Sequence, residues 1–168
     1  LEAGFAKLPD LSLDGYTVSQ SERVQSGIHA VKFNVEVTGK QCERSFHSIV
    51  DMLAHSRLSS AAKETALKVF TRLAEAEAHV HNVAVEDVHF HEVGAVDSIL
   101  DIVGTAICFE ALDIQTIYMS PLPLGSGFVS SRHGTLPVPG PATVELLKGL
   151  PVRFEDGQSE LVTPTGAA

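Results

Sequence analysis

The segment VKFNVEV, residues 31 to 37, alternates without a break: Val31, Phe33, Val35 and Val37 fall on one face, and Lys32, Asn34 and Glu36 on the other. Alternation with period two predicts a half-buried β-strand. Tyr16 to Val24 is its expected antiparallel partner. That segment is weakly patterned but is joined to the strand through Ser26-Gly27, where glycine supplies the backbone conformation of a tight hairpin turn.

From Ser45 the period lengthens to that of a helix. Phe46, Ile49, Val50 and Leu53 make a stripe that ends near Arg57. A second helix follows, capped by Ser59 or Ser60, with Ala62, Ala66, Val69, Phe70 and Leu73 on its apolar face until about His79. The most apolar helix is expected from Ala95 to Leu112, where Val96, Ile99, Leu100, Val103, Ala106 and Ile107 cover much of the circumference. Asp97, Asp101, Thr105 and Cys108 form its one polar strip, which must meet partners or water.

Ile114 to Met119 reads as a short strand. The stretch from Pro121 to Pro141 is a long loop whose apolar content and glycines, Gly125, Gly127 and Gly134, favour an ordered, tightly bent path. A last helix is expected over about Pro141 to Lys148, with proline in its first turn and Gly149 past its end. Hairpin, helices and short strands follow one another without strict β-α alternation. The pattern predicts a mixed α/β (α+β) fold, a β-hairpin and short strands packed with about four helices, with the Ala95–Leu112 helix central.

At 168 residues the chain is long enough for a single domain, 1–168, that buries roughly 70% of its unfolded surface. Twelve basic residues stand against 21 acidic ones, a formal charge of -9. That balance disfavours nucleic acid and anionic membrane as partners and favours a cation. Two cysteines, Cys42 and Cys108, lack the spacing of a disulfide framework or thiolate zinc site and suggest a reducing, cytoplasmic setting. Both ends read as cut: Leu1 to Leu8 resembles the tail of a helix, and Thr163-Pro164-Thr165-Gly166 resembles the start of one. A fragment of a longer protein is therefore expected.

Candidate chemistry concentrates in HFHEVGAVDSILDIVG, residues 89 to 104. In an extended lead-in His89 and His91 project to one side, while Asp97 and Asp101 lie one helical turn apart. With Glu92 these residues suit a divalent metal bound through nitrogen and oxygen, or an imidazole and carboxylate pair that moves a proton. The alternative is a set of hydrogen-bonded fillers and aspartates paired with neighbouring cations. His47, Asp51 and His55 stand at i, i+4 and i+8 on the first predicted helix, as metal donors or as a solvated polar face. His79 and His81 at the end of the second helix fit the negative end of its dipole.

A third group lies in PLPLGSGFVSSRHGTLPVPGPAT. Gly125, Ser126 and Gly127 can bring backbone N–H groups to a phosphate, with Arg132 and His133 supplying charge and a proton, or can form a structural turn. Thr163 and Thr165, with the N–H groups from Gly166 onward, make a second candidate anion site.

HFHEVGAVDSILDIVG, GSGFVSSRHGTLPVPGPATVELLKG and ELVTPTGAA, in that order, resemble the signature segments of the nickel-insertion proteins of nickel-pincer cofactor biosynthesis, the LarC family. The resemblance covers nearly the whole chain, as the amino-terminal part of a longer protein. Two pieces of the family pattern are absent from the sequence: an initial strand leading into a glycine-rich Cys-Phe-Ser-Gly-like segment, and a carboxy-terminal domain that binds CTP with magnesium or manganese. The resemblance implies CTP-dependent insertion of nickel(II) into a pyridinium-3,5-bisthiocarboxylic acid mononucleotide by a nickel chelatase of the lyase class. It also implies a homo-oligomer and hand-over of the product to lactate racemase-type enzymes. On that footing His89, His91 and Glu92 handle the metal, and Asp97 or Asp101 orients a ligand or acts as base. Gly125, Ser126 and Gly127 with Arg132 and His133 hold the substrate phosphate. Two other functions fit the residues: a non-catalytic nickel-binding scaffold, and a metal-dependent phosphoesterase using His-x-His and aspartates around two ions.

Overall fold

Ser26 and Gly27 both adopt positive φ, 51° and 79°, the geometry of a type I′ turn whose twist matches that of the strands it joins. They close an antiparallel hairpin of β1 (Tyr16–Gln25) and β2 (Ile28–Val37), in which Tyr16 pairs with Val37 and Gln25 with Ile28. The coordinates are a computed structural model, which describes residues 11, 13–39, 43–91, 93–131 and 134–168.

The hairpin is present as the sequence predicts, but its apolar face is not half-buried throughout. Phe33 and Val35 pack against the core, whereas Val31 is 71% exposed and Val37 also faces solvent. A hairpin of two ten-residue strands reaches beyond the body it packs on. Alternation marks a face; it does not say how far the body beneath it extends.

Beyond the hairpin, β3 (Arg44–Ser45) leads into α1 (Phe46–His55), where the Ser45 hydroxyl accepts the Ser48 N–H at 3.1 Å and so caps the helix. Ser59 performs the same task for α2 (Ser60–His81), accepting the Ala62 N–H at 3.1 Å, and Asn82 ends that helix in the left-handed conformation. A short 3-10 turn, Val85–Asp87, precedes β4 (His89–Phe90), which pairs antiparallel with β3.

The apolar helix, α3 (Val96–Ala111), is central as predicted. Val96, Ile99, Leu100, Ile102, Val103, Ala106 and Ile107 are all buried, whereas Asp97, Asp101 and Thr105 remain exposed along one strip. Fully burying each larger aliphatic side chain is worth roughly 1.5–3 kcal/mol, so this helix organises the core. Phe90 joins it from β4, packed edge to face on Phe46 (6.5 Å, 86°) and tilted against Phe70 (6.4 Å).

After α3 the chain runs without regular secondary structure through residues 114 to 121, and no strand forms over Ile114 to Met119. Ile117, Tyr118 and Met119 are exposed, so β-propensity there meets no partner segment among the described residues. The proline-rich stretch, expected as a loop, instead carries three short strands: β5 (Leu122–Leu124), β6 (Phe128–Ser131) and β7 (Gly134–Pro137). β6 and β7 form a second hairpin. A cis bond joins Val138 to Pro139 before α4 (Pro141–Leu146); β8 (Val152–Phe154) then runs parallel to β5, and α5 (Pro164–Ala167) follows.

Among the described residues the architecture is thus mixed α/β, with five α-helices and four two-stranded ladders in place of one continuous sheet. No described helix is long and apolar enough to cross a membrane.

Candidate functional site

Gly94 sets the path from β4 into α3. A Cβ there would stand 2.8 Å from the Phe90 carbonyl oxygen and 3.2 Å from the Arg44 nitrogen, so only glycine lets the chain turn this closely. Arg44 fastens the same turn by donating to the Gly94 carbonyl at 2.7 Å. The turn carries His91 away from β4 and into a cleft of about 630 Å³.

Four of the residues singled out in the sequence line that cleft: His91, Asp101, Thr163 and Thr165. They come from three separate segments, the His91 turn, the polar strip of α3 and the start of α5. Apolar walls from Val80, Val93, Val129 and Leu136 complete it. The mixture of apolar wall and few convergent polar groups is that of a site for an organic ligand.

The cleft also holds residues to which the sequence assigns no site chemistry. His81, expected only as a dipole-favoured residue at a helix end, lines it and lies 3.3 Å from the carboxylate of Glu77, one turn earlier. The i, i+4 spacing of Glu77 and His81 was the available signal. Ser98, Thr143 and Glu160 also reach it and carried no such signal.

His91 Nδ1 lies 3.4 Å from Glu43 Oε1. A carboxylate on that side of the ring is a common companion of a metal-binding histidine. The Asp101 carboxyl pKa is raised above its ordinary value, chiefly because partial desolvation disfavours its charged form and secondarily because Asp97 lies beside it. A carboxylate so placed accepts a proton more readily than an exposed one.

The remaining candidates are placed elsewhere. His89 is exposed on β4 and Asp97 is exposed in the first turn of α3, where its carboxylate accepts the Ser98 N–H at 2.9 Å; neither lines the cleft. β4 ends at Phe90, so the period-two relation between His89 and His91 does not carry through. Gly125, Ser126 and Gly127 lie outside the lining as well. There the Ser126 N–H and hydroxyl both go to the Gly157 carbonyl at 3.0 Å, and a Cβ on Gly125 would overlap the Ser159 carbonyl. Glu92, Arg132, His133 and Cys42 fall outside the described residues.

The Thr163 hydroxyl accepts the Gly166 N–H at 3.2 Å and keeps its own proton to donate. On α1, His47 Nε2 pairs with Asp51 at 3.2 Å, while His55 Nδ1 meets the Asp51 carbonyl oxygen at 2.8 Å. Cys108 is a free, half-buried thiol. Among the described residues no group of three His, Cys, Asp or Glu side chains stands ready to hold a metal ion by itself.

Residues 2–168 match the family model described as nickel insertion protein. A relative from Geotalea uraniireducens is 54% identical over 168 residues, 100% of this chain and 43% of its own length; its name reads "Putative nickel insertion protein". Relatives of the same name are 54% identical over 159 residues in Pelobacter propionicus (95% of this chain, 41% of the relative) and 43% identical over 162 residues in Dictyoglomus thermophilum (96% and 42%). The chain therefore spans about two fifths of the length of the curated relatives it matches. No solved structure matches it.

Proposed function

The chain belongs to the nickel insertion protein family, and from that premise we propose that its cleft receives nickel(II) and a pyridinium-3,5-bisthiocarboxylic acid mononucleotide and helps join them into the nickel-pincer cofactor. The observation that carries this reading is that His91, Asp101, Thr163 and Thr165, far apart in sequence, line one cleft of about 630 Å³. That volume lies in the range of organic-ligand sites.

In this reading nickel enters as a substrate. His91, which lines the cleft, holds it, with Glu92, its neighbour in the chain, as the second donor. Imidazole and carboxylate donors bind nickel(II) only moderately, so the softer sulfurs of the two thiocarboxylates take the ion over. Formation of the nickel–carbon bond requires the pyridinium ring to lose a proton, and the Asp101 carboxylate accepts it. The raised pKa of Asp101 serves that role, because a base whose pKa lies nearer the working pH is the better acceptor. Thr163 and Thr165 donate to the substrate phosphate, and Arg132, which follows the cleft residue Ser131 in the chain, supplies the positive charge.

The resemblance assigns CTP, with magnesium or manganese, to a carboxy-terminal domain, and it further implies a homo-oligomer and hand-over of the product to a lactate racemase-type enzyme. The test uses the whole protein. His91→Ala should lower the insertion rate at least about tenfold, whereas Asp101→Asn should keep nickel binding and lose insertion. Unchanged insertion rates in both variants would remove the reading.

A further inference from the structure

Thr143 is fully buried in α4, at 0% exposure, yet its hydroxyl has no hydrogen-bond partner among the described residues, and the residue lines the cleft. Buried hydroxyls are almost always bonded, because a lost bond to water has to be replaced. A valine would fill the same space without that cost. The backbone around Thr143 is held firmly: the Val144 N–H donates to Gly140 at 3.0 Å, the Leu147 N–H to Thr143 itself at 3.1 Å, and the Arg72 guanidinium to Leu146 at 3.2 Å. The orphaned hydroxyl therefore sits on a fixed segment at the cleft wall.

We propose that Thr143 is a binding residue of the cleft, its hydroxyl donating a hydrogen bond to an anionic oxygen or sulfur of the bound mononucleotide. This rests on the reading of the cleft as the mononucleotide site. Glu77, Asp101 and Glu160 give the described wall carboxylates, which repel an anion at close range, so an anionic group there is met by hydroxyl donors such as Thr143 or by the imidazoles of His81 and His91. Shielded from water, such a bond discriminates between a ligand that offers an acceptor and one that does not.

Nicotinic acid mononucleotide, a pyridine-ring mononucleotide with one ring carboxylate, is a direct probe. Its dissociation constant is measured by calorimetry on the whole protein and on Thr143→Val and Thr143→Ser, together with the melting temperature of each without ligand. Thr143→Val should bind about tenfold more weakly while melting at or above the temperature of the unaltered protein; Thr143→Ser, which keeps the hydroxyl, should bind within about threefold. Unaltered affinity in Thr143→Val would overturn the assignment and leave the cleft reading standing. A lower melting temperature in Thr143→Val with no recovery of binding in Thr143→Ser would overturn it in favour of a packing role. No binding by the unaltered protein would overturn both the assignment and the cleft reading.

Discussion

The imidazoles of His81 and His91 meet edge to face, with ring centroids 6.4 Å apart and planes at 80°. One closes α2 and the other follows β4, so the contact ties two segments together at the cleft, and each ring has a carboxylate at one nitrogen, Glu77 for His81 and Glu43 for His91. Edge-to-face aromatic contacts contribute about 0.5–1.5 kcal/mol beyond burial. If the His81 ring serves to position His91, removing it costs nickel affinity, and a ring without nitrogens restores it. His81→Ala should weaken nickel binding by the whole protein about three- to tenfold, and His81→Phe should recover most of that loss in a calorimetric titration. Equal damage from both variants would show that the His81 nitrogens are needed.

Asp101 predicts a pH dependence of stability. Its folded pKa is raised, so the protonated form is the one folding favours; the contribution is complete below the unfolded pKa, near 4, and is lost as pH rises through the folded value. Above that range the ionised carboxylate opposes folding. Asp101→Asn should melt higher than the unaltered protein at pH 7.5, with the gap closing toward pH 4. A gap that widens on acidification would reverse the sign of the burial effect. Asp97→Asn, which removes the neighbouring charge, should lower the Asp101 pKa in a carboxyl-carbon NMR titration.

The hairpin divides into a tip and a base. Ile28 and Val31 are each 71% exposed, so Ile28→Thr and Val31→Thr should change unfolding free energy by no more than about 0.5 kcal/mol. Phe33 packs against the core, and Phe33→Ala should cost about 2 kcal/mol or more in urea unfolding. Similar losses at all three positions would mean that the tip is covered.

Gly94→Ala forces a Cβ to within 2.8 Å of the Phe90 carbonyl and 3.2 Å of the Arg44 nitrogen. Overpacking of that kind costs about 1–3 kcal/mol, and the strain falls on the turn that carries His91. Both the urea midpoint and nickel affinity should drop. Loss of stability with unchanged nickel affinity would separate His91 from the site.

Local signals in the sequence were strong where local chemistry decides. Ser45, Ser59 and the Ser26-Gly27 turn each act through partners a few residues away, and their elements stand where the pattern puts them. The apolar circumference of α3 likewise predicts both its burial and its exposed acidic strip. What depends on distant partners was not legible. Ile114 to Met119 has strand composition without a ladder, and the proline-rich stretch forms β5, β6 and β7 through pairings that no local pattern specifies. In the site, His91, Asp101, Thr163 and Thr165 were readable by residue type. Thr143 was not, because a buried threonine is marked only by the hydrogen bond it fails to make.

Anomalous diffraction at the nickel edge, from crystals of the whole protein soaked in nickel(II), tests the account most directly because it locates the ion without presuming its ligands. The account predicts a peak inside the cleft, bonded to the His91 imidazole and on the same side as Asp101. A peak at His47, Asp51 and His55 on α1, with none in the cleft, would contradict it.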